Sequence, residues 1–295
     1  MTEQMRRAGW RARLDLRFAH LAGRTCLTRR RHGGPLVVQR AFYPEWSQNG
    51  ASIHVGDPAR AAASEPCHVY LVHPPGGMVS GDELQIDLCI EAGAHAVLTT
   101  PAAGKFYRRI GQRVARLGQD LRVDDGTLEW LPQENIYYPD TAAELRTIVR
   151  LRNTARFIGW EIACFGLPAA RASLGEGTVR QSFELWHDEQ PVLLERTNLD
   201  RASLQARWGL AGHAALGTWI AFPATSKHLE MARSAALAAD CANTSLACTM
   251  VDDALTCRAY GERADYLKSR FIELWHLLRP GLLGRRAVSP RIWAT

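Results

Sequence analysis

Alternation with a period of two runs through most of this chain. Ala12, Leu14, Leu16 and Phe18 alternate with Arg11, Arg13, Asp15 and Arg17, the pattern of a strand with one buried and one wet face. Leu84, Ile86, Leu88 and Ile90 share one face, and Gln85, Asp87, Cys89 and Glu91 the other, until Gly93 ends the run. His95, Val97 and Thr99 then alternate with Ala94, Ala96 and Leu98. "QIDLCIEAGAHAVLTTP", "QDLRVDDGTLEWLPQ" and "LRTIVRLRNTARFIGWEIA" each read strand, polar turn, strand. Their turns fall near Gly93, Gly126 and Thr154, about thirty residues apart, a weak internal repeat. With no helical pattern before residue 220, this spacing predicts an all-β body, either a sandwich or a layered, helix-like winding of strands. A further hairpin is expected where "SFELWH" meets "VLLERT" across Asp188, Glu189, Gln190 and Pro191.

After residue 222 the period changes. "TSKHLEMARSAALAADCA" is alanine-rich, with Thr225 or Ser226 available as a helix N-cap. Leu267, Phe271, Leu274, Trp275 and Leu278 form an amphipathic stripe, and Pro280 with Gly281 is expected to end it. Between the two helices, "SLACTMV" and "ALTCRAY" flank Asp252 and Asp253 as a hairpin. The expected fold is therefore mainly β: a stranded body over 1–222 and a helix, hairpin, helix part over 223–295, packed on the body as one continuous domain.

Composition narrows the function. The apolar fraction of 46% is ample for a buried core, and the best apolar run, Phe157 to Leu167, is broken by Glu161. The N-terminus carries charges but no apolar stretch, so no signal peptide is read there, and a cytoplasmic protein is expected. The seven cysteines (Cys26, Cys67, Cys89, Cys164, Cys241, Cys248, Cys257) form no Cys-x-x-Cys pair, and read as small buried hydrophobes. The net charge of +6 rests on arginine, with only three lysines. No nucleic-acid reader motif accompanies it, so Arg29, Arg30, Arg31 and His32 read as a solvated loop or a partner contact.

The densest motif is "HPPGGMVSGDEL", residues 73–84. As a phosphate loop it fails: Gly76 and Gly81 have the right separation, but Asp82 and Glu83 follow where lysine and a hydroxyl are needed. As a nucleophile elbow it fails too, since Ser80 stands one place late and strands follow, which leaves a Ser80–His73 hydrolase little support. As a metal site it is too stretched, because six extended residues part Cys67 from His73 by roughly 20 Å; His68 and these two read as core or rim residues. What remains is geometric. Pro74 and Pro75 stop a strand, Gly76, Gly77 and Gly81 permit sharp turns, and Asp82 is fixed at the sheet rim. The plain alternative is that Asp82 caps its own turn.

Six blocks in order carry a resemblance over nearly the whole chain: "GPLVVQRAFYPE" (34–45), "YLVHPPGGMVSGDEL" (70–84), "LTTPAAGKFYRR" (98–109), "LEWLPQENIYY" (128–138), "FIGWEIACFG" (157–166) and "PRIWAT" (290–295). Together they resemble the urease accessory protein family UreD, also called UreH. The resemblance implies an extended, helix-like stack of β-strands with two C-terminal α-helices, and a scaffold rather than an enzyme. It implies partnership with UreF, in a 2:2 assembly, and through it with the GTPase UreG and apo-urease. No nucleic-acid or membrane partner and no tightly bound cofactor are implied, only nickel(II) in transit.

By the same resemblance, acids lining an internal wet passage fall at Asp82, Glu161 and Glu195. Carboxylates and water release a divalent ion that thiolates or a histidine cage would trap. From the residues alone, Glu161 reads as a strand acid paired with an arginine, and Glu195 as one side of a salt bridge. Lys105, Tyr107 and Arg108 suit either a structural clasp or a partner interface. Two departures from the family pattern, Gly104 for a hydroxyl residue and Leu167 for arginine, affect local polar contacts. The competing expectation is a purely structural adaptor with no metal passage.

Overall fold

A computed structural model of the chain describes residues 9–45, 65–238 and 244–294. The stretch read for a signal peptide lies mostly outside them, as do Cys241 and Thr295. Strands β1 (Arg11–Leu21), β2 (Arg24–Gly33) and β3 (Val37–Val38) come first. They are followed by β4 (Cys67–Val72), β5 (Glu83–Ile90), β6 (His95–Thr99) and β7 (Gly104–Phe106). Next come β8 (Ala115–Asp124), β9 (Thr127–Trp130), β10 (Asn135–Tyr137), β11 (Ala142–Arg152) and β12 (Arg156–Phe165). The hairpin strands β13 (Thr178–His187) and β14 (Gln190–Leu199) lead through a short helix α1 (Arg201–Gln205) to β15 (Ala215–Phe222). Helix α2 (Ser226–Ala238), strands β16 (Thr244–Val251) and β17 (Ala254–Gly261), and helix α3 (Ala264–Leu283) complete the order.

The strands form two stacked sheets, ordered β14-β13-β11-β8-β5-β1-β2 and β16-β17-β15-β12-β9-β6-β4-β3, with β10 joining β12 to β7. The repeated units are not hairpins. β5 pairs in parallel with β1 and β8, while β6 pairs in parallel with β4 and β9. Each polar turn therefore carries the chain from one sheet to the other, and successive units stack as coils. Of the two expected architectures, the layered winding is the one that forms. The hairpin at Asp188 is present, but its turn is only Asp188 and Glu189, both at positive φ, with Gln190 and Pro191 already in β14.

Inward residues of both sheets make the main core, with Leu14, Leu16, Phe18, Leu121 and Phe157 buried between them. The outer face of the first sheet meets water through ion pairs set by register. Arg11, Glu83, Arg116, Glu144 and Arg180 stand side by side on five strands, alternating in sign, with contacts of 3.4, 3.8, 2.9 and 3.3 Å. The outer face of the second sheet is instead covered by α2 and α3, which bury Ile158, Trp160, Ile162 and Trp219 against Phe271, Leu274, Trp275 and Leu278. This is why β6 is buried on both faces rather than half-wet as its alternation suggests.

One helix boundary and one whole helix differ from expectation. α3 continues through Pro280 to Leu283, and Gly284 at φ +69° supplies the left-handed residue that ends it. α1 is a single turn that apolar periodicity could not reveal, started by a reciprocal cap between Asp200 and Ser203. No helix among the described residues is long and apolar enough to cross a membrane.

Candidate functional site

The glycine loop is held by a neighbouring segment. Gly76 and Gly81 adopt φ of +78° and +90°, and a Cβ on Gly77 would stand 2.5 Å from the Tyr107 ring. The Met78 amide donates to the Lys105 carbonyl at 2.7 Å, and the Tyr107 amide returns a bond to Met78 at 2.9 Å. Asp82 is buried, and its two carboxylate oxygens accept the amides of Trp10 and Val79 at 2.8 Å each. The Ser80 hydroxyl accepts the Ile110 amide at 2.7 Å, a structural task for the hydrolase candidate. Tyr107 meets Tyr138 edge-on at 4.9 Å, and Arg108 lies 3.4 Å from Asp140 on the surface. Lys105, Tyr107 and Arg108 thus begin as a clasp on the loop and end at the surface.

Behind the loop lies a cavity of about 330 Å³ between the sheets. His73, Gly76, Gly77 and Lys105 line it, with apolar walls such as Leu84 and Trp130, and Gln119 and Glu161 are among its polar groups. Burial pushes the Glu161 carboxyl up to about 7, against the lowering effect of its hydrogen bond with Thr147. Thr147 Oγ1 also meets Gln119 Oε1 at 2.8 Å, so a polar chain crosses from β8 through β11 to β12. Burial lowers the His73 imidazole, with the Asp82 charge acting in the opposite sense.

Glu161 also bounds a second, smaller void of about 40 Å³ with Gln181, Glu195, Thr197 and Thr218. There Glu195 is ion-paired with Arg258, whose side chain is 46% exposed. Glu161 therefore belongs to both voids and Glu195 to the second, while Asp82 is among the lining residues of neither. Apart from the Arg258 guanidinium, the polar groups named around Glu161 and Glu195 are carboxylates, hydroxyls and side-chain amides, whose oxygens suit a hard or borderline divalent ion held loosely.

Cys67, His68 and His73 go separate ways. The buried Cys67 thiol is pushed up to about 11, chiefly by burial. His68 is paired with Glu45 at 3.0 Å, and His73 lines the large cavity. Among the described residues no group of three or more His, Cys, Asp or Glu side chains is placed to hold a metal ion.

Sequence reasoning missed Gln119, Thr147 and Gln181, although the signal was there. Each is a polar residue at an inward position between apolar neighbours: Leu117 and Leu121, Leu145 and Val149, Val179 and Phe183. It also missed a buried charge cluster. Arg279 of α3 bonds Glu129 of β9 at 2.8 Å, while Trp275 and His95 each contact Glu129 at 2.6 Å. Arg279 also reaches Glu45 at 2.6 Å.

Comparison with known proteins adds a separate line of observation. The family model for the UreD urease accessory protein matches residues 10–294. A protein named urease accessory protein UreD from Pseudomonas putida (strain W619) is 40% identical over 289 residues, covering 98% of this chain and 95% of its own. A like-named protein from Enterobacter sp. (strain 638) is 36% identical over 288 residues, 97% of this chain and 96% of that one. Another, from Citrobacter koseri, is 38% identical over 289 residues, 97% and 92% respectively.

Proposed function

Because this chain belongs to the UreD family of urease accessory proteins, we propose that it serves urease maturation as a scaffold that carries nickel(II) to apo-urease, together with UreF and UreG. The observation that carries this reading is the position of Glu161, shared by two adjoining voids between the sheets, with Glu195 on the far side. A divalent ion entering behind the glycine loop would meet Gln119 and Glu161, then Gln181, Thr218 and Glu195. Each offers few oxygens, so the ion is attracted without being trapped, as conduction requires. Arg258 balances Glu195 when no ion is present, and its partial exposure gives it room to withdraw. In this reading Asp82 holds the loop at the entrance, through the amides of Trp10 and Val79.

The test is a combined Glu161→Gln and Glu195→Gln variant, with Asp82→Asn made separately. The double variant is expected to assemble normally with its partners while lowering the nickel content of urease several-fold. Normal metal content would overturn the conduit. A structural adaptor remains the second reading, favoured by the fact that Asp82, Glu161 and Glu195 all have protein partners. Thr218→Phe, which fills the smaller void, separates the two: a conduit loses delivery, an adaptor keeps it.

A further inference from the structure

Away from this route, the β16–β17 hairpin sets two cysteines face to face. Cys248 and Cys257 are direct partners in its ladder, and Val251 and Ala254 are the pair flanking the turn at Asp252 and Asp253. A closing pair of this kind exchanges hydrogen bonds. Strict alternation along an antiparallel ladder then places 248 and 257, three pairs further on, in the non-hydrogen-bonded class. In that class the α-carbons stand about 4.5 Å apart and the side chains lean together, within the span of a disulfide. Cys257 is fully buried, whereas Cys248 keeps 8% exposure. β16 ends the sheet order, so opening it would break no second ladder, though both cysteines lie in the apolar cluster beneath α2 and α3.

We propose that Cys248 and Cys257 are a thiol-modification site that closes reversibly to a cross-strand disulfide, with Cys248 attacking, Cys257 resolving and a low-molecular-weight disulfide as oxidant. The Cys257 thiol, its ladder partner, holds Cys248 below the ordinary thiol range, against burial and with help from the Arg233 charge. Cys248 in turn pushes Cys257 well up, and burial adds to it. Arg233 Nε is anchored on the Cys248 carbonyl at 3.2 Å. Cys248 is thus the better nucleophile and the less deeply buried of the two residues.

The steps balance. The Cys248 thiolate attacks one sulfur of the small disulfide, forming a mixed disulfide and expelling a thiolate. Cys257 gives its proton to a departing thiolate and attacks the Cys248 sulfur, expelling the second. Two electrons pass from the protein to the oxidant, leaving one protein disulfide and two small thiols, the second protonated by the proton that Cys248 gave up to solvent on ionising.

The full-length protein would be equilibrated in glutathione buffers of rising oxidised fraction, its free thiols alkylated, and its peptides mapped by mass spectrometry. The expected result is loss of two thiols per chain, a 248–257 linked peptide, and full recovery with dithiothreitol. Cys257→Ser is expected to accumulate glutathione on Cys248, since nothing resolves it, and Cys248→Ser to leave Cys257 unmodified. Wild-type protein whose two thiols stay alkylatable across the series, while its tryptophan fluorescence remains native, would overturn the proposal without any variant having to fold. So would a link that joins Cys26 to Cys67 and leaves 248 and 257 free.

Discussion

At Glu161 a carboxyl group faces inward from β12 with the Thr147 hydroxyl as its bonded neighbour. Its folded-state value of about 7 lies above the ordinary 4.5, so between those values the folded chain holds a proton that the unfolded chain has lost. Stability from this group is therefore present below about pH 4.5 and declines as pH rises toward 7. Glu161→Gln removes that decline. The variant should gain about 1–3 kcal/mol over the native chain between pH 5 and 8 in urea unfolding, and a constant difference across that range would refute the assignment. A residue kept at such a cost suits a functional task better than a packing one. Asp82 differs: both its oxygens satisfy backbone amides, so its place in the motif is explained by the loop alone.

Helix α3 is fastened by charge as well as by its apolar stripe. Arg279 is fully buried between Glu45 and Glu129. Burial opposes its charge, but the two carboxylates outweigh that and raise the guanidinium further. Burial likewise pushes Glu129 up, and Arg279 with His95 more than reverses it, holding the carboxyl well below the usual range. Removing one member strands the others in a dry site. Arg279→Met should cost about 3–5 kcal/mol in urea unfolding, whereas replacing Arg279 and Glu129 together by apolar residues should cost less, because Glu45 keeps His68 and Arg285 as partners. Equal losses for the single and double variants would show that packing, not charge, holds the helix. The contact between α3 and β15 is close as well, since a Cβ on Gly217 would lie 2.7 Å from the Phe271 ring.

For the whole molecule, the two faces of the second sheet make the C-terminal part indispensable. β17 extends that sheet by pairing with β15, and α3 covers Trp160 and Trp219. A chain ending at Phe222 would expose Ile158, Trp160, Ile162 and Trp219 as one apolar face. It should bind more hydrophobic dye than the full chain and elute as larger aggregates in size-exclusion chromatography. A monomeric, dye-free fragment would mean that residues 1–222 fold on their own. The first sheet has no such dependence, because its outer face is a row of exposed ion pairs that hold it in water and add little stability.

Local alternation was enough to locate β1 and β5 and to choose their buried faces, because a strand's period is two wherever it lies. The α3 stripe and the Asp252 turn were legible for the same local reason. Which strand pairs with which was not legible: strand, turn, strand describes a hairpin and a coil passing between sheets equally well, and only the parallel registers of β5 with β8 and β6 with β9 decide. The meeting of Glu161 with Thr147, of Glu195 with Arg258, and of Glu45 with Arg279 likewise depends on layers brought together from far along the chain. Sequence alone thus sets each strand's faces, since these follow from local sterics and solvent. The two voids between the sheets exist only once the coils stack, because their walls come from both layers.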